Sequence, residues 1–287
     1  MQLTRVTPSS SSDPRPIGIF DSGVGGLTVL SEIHRRLPGE PTVYLGDNGR
    51  TPYGPRPADE VRRFTLEAVD WLLAQDVKLL VLACNTATAR ALDAVRDRAP
   101  LPVIGVIRPG AVSAAAATRS GRVAVIATAG TVESGAYPDA IAEAQASTRV
   151  AQLACPELVP MVEAGVLDGL RAESVLRAYL EPLLAANPDT DTLLLGCTHY
   201  PLLRPTIERV VGPGVAVVDS AFTTALAVED LLDALGARAP AGETPAHRVA
   251  TTGDVAAFVA VAERLFGGRL PAVEPVSIEP VAALPLD

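Results

Sequence analysis

The chain has 287 residues, 48% hydrophobic and 20% charged, which is typical of a globular protein with one large domain or two modest ones. Its formal net charge of -9, with no Lys/Arg-rich run, argues against a nucleic-acid partner. The N-terminal stretch lacks the apolar core of a secretory signal, and no apolar run approaches the roughly 18 residues that a membrane span needs. We therefore predict a cytoplasmic protein with no membrane partner.

Short, nearly continuous apolar runs recur along the chain, at 17–20, 42–47, 78–85, 102–107, 123–128, 192–197 and 215–220. Such runs are typical of strands buried on both faces of a parallel sheet. Segments with helical spacing lie between them, at 57–75, 86–98, 171–186 and 221–236. The alternation predicts an α/β fold with right-handed crossovers.

Small polar residues follow five of the predicted strands, in "FDSGVGG", "GDNGRTPYG", "CNT", "ATAGT" and "CTHYP". The functional residues of a parallel sheet lie beyond the carboxyl ends of its strands, so we expect all five polar segments to face one crevice. The segments "LLVLACNTATARAL" and "LLLGCTHYPLLRP" also align on a cysteine. This weak repeat indicates two related lobes, with one cysteine on each side of a shared cleft.

We place the first lobe at 13–109 plus 219–287 and a second, inserted lobe at 110–218. Residues 1–12 are predicted to be disordered. The Pro-rich tail from 269 onward is predicted to lie over the surface after a last short strand.

The three cysteines, Cys84, Cys155 and Cys197, are too few and too scattered for a disulfide framework, so we predict free thiols. Two of them are followed by polar pairs that can donate hydrogen bonds to sulfur and favour the thiolate. These pairs are Asn85 with Thr86, and Thr198 with His199. Cys155 has no such followers and is assigned to packing, the common role of a buried cysteine.

Other polar residues have a plain structural interpretation beside a functional one. Asp21 and Ser22, before a glycine-rich turn, can cap a helix or face a small anion at its N-terminus. Tyr53 and Gly54 lie in a turn-rich segment that can also present backbone N–H groups to the crevice. Glu163 is most simply a solvated helix residue. His34 is placed on a helix surface, and His247 in a loop without a role.

A metal site is one alternative to thiol chemistry. Cys84, Cys197 and His199 could form a Cys2His zinc site, although their spacing is atypical. We predict no metal site and no cofactor.

Taken together, "GIFDSGVGGLTV", "GDNGRTPYG", "LACNTATA", "CPELVPMVEAG" and "LLLGCTHYPLL" are similar to the motifs of the glutamate racemase family. These enzymes belong to the cofactor-independent aspartate/glutamate racemase superfamily and supply D-glutamate for peptidoglycan. The five motifs occur in the expected order between about residue 17 and the strand near 219. The resemblance implies two similar doubly wound parallel-sheet lobes with the active site in the cleft between them.

The resemblance also implies roles for individual residues. Cys84 and Cys197 would be the two acid/base thiols on either side of the substrate's α-carbon. Asp21 would support Cys84, and His199, with Glu163 behind it, would support Cys197. The substrate-binding set would be Asp21, Ser22, Tyr53, Gly54, Asn85, Thr86, Thr128, Thr131, Thr198 and His199. We expect glutamate as the substrate and a homodimer.

The residues agree with this chemistry. Inverting an α-carbon needs a base on one face and an acid on the other, and a free cysteine, with a pKa of about 8.5, can serve as either. A pyridoxal-phosphate mechanism needs a lysine in the site, whereas the only lysine, Lys78, precedes its strand at the end remote from the crevice. An aspartate or hydantoin racemase, a non-catalytic binding protein for small anions, and a zinc hydrolase remain as alternatives.

Overall fold

The computed structural model describes residues 12–268 and 270–278. Its strands form two parallel sheets. The first sheet contains β1 (Ile17–Asp21), β2 (Thr42–Gly46), β3 (Leu79–Leu82), β4 (Val103–Gly105), β9 (His247–Thr251) and β10 (Val273–Pro275). The second contains β5 (Arg122–Ala127), β6 (Arg149–Ala154), β7 (Thr192–Gly196) and β8 (Ala216–Asp219). Each sheet with its helices is called a lobe below.

Eleven α-helices cover the two sheets in the described ranges. In the first half they are α1 (Leu27–Arg36), α2 (Ala58–Leu73), α3 (Asn85–Arg98), α4 (Ile107–Ala117), α5 (Ala129–Ser134) and α6 (Ala136–Ala144). The rest are α7 (Leu158–Glu163), α8 (Gly169–Ala186), α9 (Arg204–Val211), α10 (Ser220–Leu235) and α11 (Val255–Phe266). A short 3-10 helix covers Tyr200–Leu203.

The two sheets repeat one topology. The strand order is β10-β9-β2-β1-β3-β4 in the first and β6-β5-β7-β8 in the second, so β2-β1-β3-β4 corresponds to β6-β5-β7-β8. Cys84 follows β3 and Cys197 follows β7, which are equivalent strands in this alignment. The weak repeat around the two cysteines therefore corresponds to a repeat in the fold, and the predicted fold class is confirmed.

Apolar side chains pack in layers around both sheets. One cluster lies on the α2 and α3 side of the first sheet, and another lies between the second sheet and helices α4 and α6. The largest cluster continues from one lobe to the other, from Ile19 and Val81 to Ile126 and Leu195. The chain passes between the lobes through α4 and α10, which pack on each other. The lobes are thus joined by shared core as well as by these two helices.

All seven predicted strands are present with small shifts at their ends, and β9 lies before the tail, where a last short strand was predicted, but β6 and β10 were missed. β6 is an edge strand containing Arg149 and Gln152, and β10 is an edge strand that ends at Pro275, so neither has the apolar run of a central strand. The four predicted helices correspond to α2, α3, α8 and α10. The predicted disorder at 1–12 lies, except for residue 12, outside the described residues, as does the tail after 278. No helix in the described part of the chain is long and apolar enough to cross a membrane.

The single lysine forms a buried ion pair at the end of the first sheet that lies away from the strand carboxyl ends. Lys78 Nζ is 2.6 Å from Glu40 Oε2, and their side chains are 1% and 4% exposed. The ammonium also donates to the carbonyls of Asp13 at 2.7 Å and Ala237 at 2.8 Å. Glu40 Oε1 accepts from the backbone N–H of Ala239 at 2.9 Å. This pair ties the start of the described chain and the end of α10 to the sheet.

We predict that Lys78→Met lowers the free energy of unfolding by about 3 kcal/mol or more, because it leaves the Glu40 carboxylate buried without its partner. Urea unfolding measures the change. Arg177→Met is the control, since Arg177 pairs with Glu181 at 3.0 Å on the surface and its loss should cost less than about 1 kcal/mol. Equal, small losses in both variants would contradict this assignment.

Candidate active site

A cavity of about 430 Å³ opens at the carboxyl ends of the strands, where the two lobes meet. Both lobes supply its walls, which fits the predicted crevice. It is lined by Ser22, Thr51, Pro52, Tyr53, Gly54, Pro55, Cys84, Asn85, Thr86, Thr128, Ala129, Cys155, Pro156, Val159, Pro160, Glu163, Cys197, Thr198 and His199.

Cys84 supplies a thiol from the first lobe. It caps the N-terminus of α3, where its sulfur accepts from the backbone N–H of Ala87 at 3.4 Å, and its thiol donates to Ser22 Oγ at 3.4 Å. Burial, and then the negative charge of Asp21, raise the pKa of Cys84 to about 12, although both hydrogen bonds act in the opposite direction. Asn85 and Thr86 were predicted to favour the Cys84 thiolate, but their side chains bond Tyr137 and Thr128 instead of the sulfur, and burial raises the pKa of this thiol in the ligand-free site.

Asp21 lies at the end of β1, fully buried behind Ser22 and close to Cys84. One carboxylate oxygen accepts from the backbone N–H of Gly23 at 2.9 Å, while the other, Oδ1, has no hydrogen-bond partner. Burial raises the pKa of Asp21, and the charge of His199 and the N–H groups of Gly26 and Gly23 only partly offset this. A carboxylate held at a raised pKa is a better proton acceptor than a free one.

Cys197 supplies a thiol from the second lobe, with a histidine beside it. The Cys197 sulfur is 3.8 Å from His199 Nδ1, and His199 Nε2 is 3.0 Å from Glu163 Oε1. Burial disfavours the charged imidazole, but the hydrogen bonds to Cys197 and Glu163 and the charges of Cys197 and Asp21 outweigh it. Together they raise the pKa of His199 to about 10. His199 is accordingly a cation at neutral pH and can stabilise negative charge on the sulfur.

Three threonine hydroxyls meet across the boundary between the lobes. Thr86 Oγ1 of the first lobe lies 2.8 Å from Thr128 Oγ1 and 3.3 Å from Thr131 Oγ1 of the second. The last two oxygens are 3.0 Å apart. Thr86 and Thr128 line the cavity, whereas Thr131 is wholly buried behind them. These hydroxyls can donate to a carboxylate without a net positive charge.

The segment after β2 is held by a buried carboxylate. Asp47 Oδ2 accepts from Tyr53 Oη at 2.5 Å and from Arg50 Nε at 2.7 Å, and Oδ1 accepts from Thr252 Oγ1 at 2.6 Å. The Tyr53 side chain is 1% exposed, so this residue meets the cavity mainly through its backbone. The Gly54 carbonyl accepts from the N–H of Gly130 at 2.9 Å, which links this segment to the second lobe.

Close contact between the lobes requires a glycine at position 25. A Cβ there would lie 2.4 Å from both His199 Nδ1 and Thr198 Oγ1, far inside any normal contact. The neighbouring Thr28 hydroxyl donates to the Thr198 carbonyl at 3.1 Å. The glycine-rich turn after β1 thus serves close backbone approach to the other lobe, a use of glycine that sequence alone did not distinguish from anion binding.

No Lys or Arg side chain is among the residues that line the cavity, and its charged groups are Glu163 and His199. In the described ranges, no group of three or more His, Cys, Asp and Glu side chains is arranged to hold a metal ion. An anionic ligand here must be bound by hydroxyls, amides and backbone N–H groups, including those at the start of α3.

Most of the predicted site residues line this cavity; Asp21 and Thr131 lie directly behind its wall. Cys155, assigned to packing, is buried and yet borders the cavity as well. The apolar part of the wall was not predicted; it consists of Pro52, Pro55, Ala129, Pro156, Val159 and Pro160. All but Pro55 lie inside the motifs quoted above, but their side chains are chemically inert and nothing in the sequence singles them out as lining residues.

Two histidines lie away from this cavity and differ from their predicted positions. His34 is half-buried, with Nε2 2.9 Å from Thr42 Oγ1, and is therefore not simply a surface residue. His247 begins β9 instead of lying in a loop, and its Nδ1 is 3.0 Å from the same hydroxyl.

Comparison with known proteins decides the family. The profile described as Asp/Glu/Hydantoin racemase matches residues 17–229. Glutamate racemase from Oceanobacillus iheyensis is 48% identical over 252 residues, 88% of this chain and 92% of the relative. The chain belongs to the Asp/Glu/hydantoin racemase family. The resemblance to glutamate racemases is thereby confirmed, and the protein is an amino-acid racemase.

Solved structures agree on the fold. Glutamate racemase isoform RacE1 from Bacillus anthracis superposes with a TM-score of 0.88 at 43% identity, covering 93% of this chain and 99% of that one. Glutamate racemase from Francisella tularensis, in complex with D-glutamate, gives 0.86 at 32% identity, with the same coverage of 93% and 99%.

We predict that Gly25→Ala lowers kcat/KM for racemisation by about 100-fold, because His199 and Thr198 must move to admit the methyl group. Gly39→Ala is the matched control, since a Cβ at Gly39 meets nothing within 4 Å and should leave the rate unchanged. A Gly25→Ala enzyme with the wild-type rate would show that this contact is not needed.

The raised pKa of His199 also predicts a pH dependence of stability. Because its pKa is about 10 in the folded protein against an ordinary 6.5, the charged imidazole stabilises the fold fully below pH 6.5. That contribution is lost as the pH rises towards 10. We expect the free energy of unfolding, measured in urea, to fall over this range, and to fall less in Glu163→Gln, which removes the charge facing Nε2. Parallel pH profiles in the two proteins would contradict the assignment.

Proposed function

We propose that this racemase interconverts L- and D-glutamate by proton transfer between two thiols, Cys84 and Cys197, without a cofactor. The observation that carries the proposal is that these cysteines follow equivalent strands of the two lobes and line one cavity. One thiol on each side of a bound α-carbon supplies a base for one face and an acid for the other. In the described part of the chain the Cys155 sulfur hydrogen-bonds only the Leu153 carbonyl, at 3.8 Å, and we give it no part in the mechanism.

The protonation states suit a start from L-glutamate. His199 carries a positive charge at neutral pH, so it can stabilise the negative charge that Cys197 must carry to remove the α-proton. Cys84, whose pKa is raised to about 12, holds the proton that it delivers to the opposite face. D-glutamate is the product, and Cys84 is left as a thiolate beside Asp21.

The reverse direction uses the same groups in exchanged roles. Cys84 takes the proton of D-glutamate and Cys197 delivers one. Asp21, whose pKa is raised by burial, can accept the Cys84 proton that must leave first. His199 and Glu163 support Cys197 in the same manner, so each thiol has its own buried proton partner.

The substrate carboxylates would be held by neutral donors. Ser22, Thr86, Thr128 and Thr198 present hydroxyls, and backbone N–H groups are available from Gly54 and from the start of α3. Thr131 would act from behind, by orienting the other two threonine hydroxyls. Because the cavity is recessed between the lobes and several of its lining residues are apolar, such hydrogen bonds gain strength from the low dielectric and can stabilise a developing carbanion.

Glutamate is preferred over aspartate or a hydantoin as the substrate because the similar relatives named above are glutamate racemases. The same likeness is our ground for proposing a cytoplasmic homodimer that supplies D-glutamate for peptidoglycan. We also propose the division into a first lobe of 13–109 with 219–287 and an inserted lobe of 110–218, which the membership of the strands in the two sheets supports.

We predict that Cys84→Ala and Cys197→Ala each abolish racemisation in both directions, because each removes one member of an obligatory pair. Chiral analysis of glutamate incubated with each protein measures this, and thermal unfolding checks that the variants fold. Cys155→Ala is the control and should racemise glutamate. A Cys84→Ala protein with a near wild-type rate would refute the two-thiol assignment.

Isotope exchange tests the two faces separately. In D2O, early product should carry deuterium at the α-carbon, because the incoming proton comes from the opposite, solvent-exchanged thiol. The remaining substrate should stay largely protiated at that stage. A single base that serves both faces would instead return the original hydrogen, so early product that retains it would exclude the proposed mechanism.

A further inference from the structure

Tyr137 is joined to the cavity wall by one hydrogen bond that crosses between the lobes. It lies in α6 of the second lobe, is wholly buried and does not line the cavity. Its hydroxyl oxygen nevertheless accepts from Asn85 Nδ2 at 2.7 Å. Asn85 is the first residue of α3 in the first lobe and does line the cavity. No motif in the sequence marked this tyrosine.

The other end of the Asn85 amide is left without a partner. The residue is only 2% exposed, and its Oδ1 is buried with no hydrogen bond. A buried amide oxygen without a donor is unfavourable, so such groups usually have a partner or wait for a ligand. One N–H of Nδ2 is used by Tyr137, and Oδ1 is the atom of this amide that has no partner, so the unmet need of Asn85 is for a donor. The group that this acceptor fits in an amino acid is the ammonium.

The position of the Tyr137 hydroxyl is fixed by the two segments that connect the lobes. Ser220, the first residue of α10, lies close to the same hydroxyl, because both flank Gly110. Gly110 of α4 lies against it, since a Cβ at Gly110 would be 3.4 Å from Tyr137 Oη and 3.1 Å from Ser220 Cβ. The tyrosine oxygen is therefore held where both interlobe connections meet, and it is a rigid reference point for a side chain of the first lobe.

We propose that Tyr137 is a positioning residue, whose hydroxyl holds the Asn85 amide with Oδ1 towards the ammonium group of the substrate. Without the tyrosine oxygen the amide is free to turn, and it can then present its NH2 group to the ammonium. Orientation of the ammonium fixes the α-carbon between the two thiols. This inference rests on the proposed function, because it takes an amino acid as the ligand.

The test compares glutamate with glutarate, which has both carboxylates and no ammonium. In Tyr137→Phe, we expect KM for glutamate to rise about tenfold, as for one lost hydrogen bond to a charged group. The inhibition constant of glutarate should stay unchanged. Equal changes for the two ligands, or no change for glutamate, would overturn the proposal, because a general disturbance of the cavity affects both.

Tyr200→Phe is the matched control. Tyr200 is also wholly buried in the second lobe, but its hydroxyl donates to the Cys155 carbonyl at 3.0 Å, whereas that of Tyr137 accepts from an asparagine. Loss of this hydroxyl should leave the preference for glutamate over glutarate as in the wild type. A change of preference as large as that in Tyr137→Phe would overturn the assignment to Asn85.

A double-mutant cycle checks that Tyr137 acts through Asn85. If it does, Tyr137→Phe should add nothing to the rise in KM for glutamate already caused by Asn85→Ala. Additive effects would overturn the proposal. If Tyr137→Phe does not fold, Asn85→Ala alone still tests the proposal. Equal weakening of glutamate binding and glutarate binding in Asn85→Ala would overturn the proposal. Failure of the proposed function can be told apart from failure of this inference, because in the first case the wild-type protein itself would not racemise glutamate.

Discussion

The contact of Gly25 with Thr198 and His199 holds the two lobes at the distance on which the cavity depends. The backbone of the turn after β1 touches the side chains that follow β7, with no room for a Cβ between them. Other short contacts cross the same boundary, among them the bond from Gly130 N–H to the Gly54 carbonyl and the threonine hydroxyls around Thr86. The apolar core that the two lobes share also holds them together. Residues from two sheets can therefore form one site.

Burial at this boundary determines the electrostatics of the site. It raises the pKa values of Cys84 and Asp21 and would lower that of His199 on its own. His199 remains charged because Cys197 and Glu163 flank it. With no Lys or Arg on the cavity wall, the imidazolium is the positive group nearest the sulfur of Cys197. The same low dielectric that suppresses ionisation of Cys84 strengthens the ion pair between His199 and Glu163.

The sequence predicted the class of fold and much of the cavity because both depend on local patterns. Buried parallel strands appear as apolar runs, and the polar residues at their carboxyl ends must share an edge. The edge strands β6 and β10 were not predicted, because their exposed positions interrupt the apolar run. The direction of the Cys84 pKa shift was also not predicted, because it depends on burial by residues distant in sequence. Tyr137 and Gly25 act through contacts with the other lobe, which no local pattern reveals.

The two thiols occupy equivalent places in repeated lobes, yet their surroundings differ. Cys84 has a carboxyl group as its nearest ionisable neighbour in the same lobe, and Cys197 has a histidine backed by a carboxylate. Two identical surroundings would favour the same protonation state at both sulfurs, and the proposed proton transfer needs one thiol and one thiolate. Burial and Asp21 favour a protonated Cys84, while the imidazolium of His199 can stabilise negative charge beside it at Cys197. The repeated topology thus explains where the sulfurs lie, and their different neighbours support the opposite roles proposed for them.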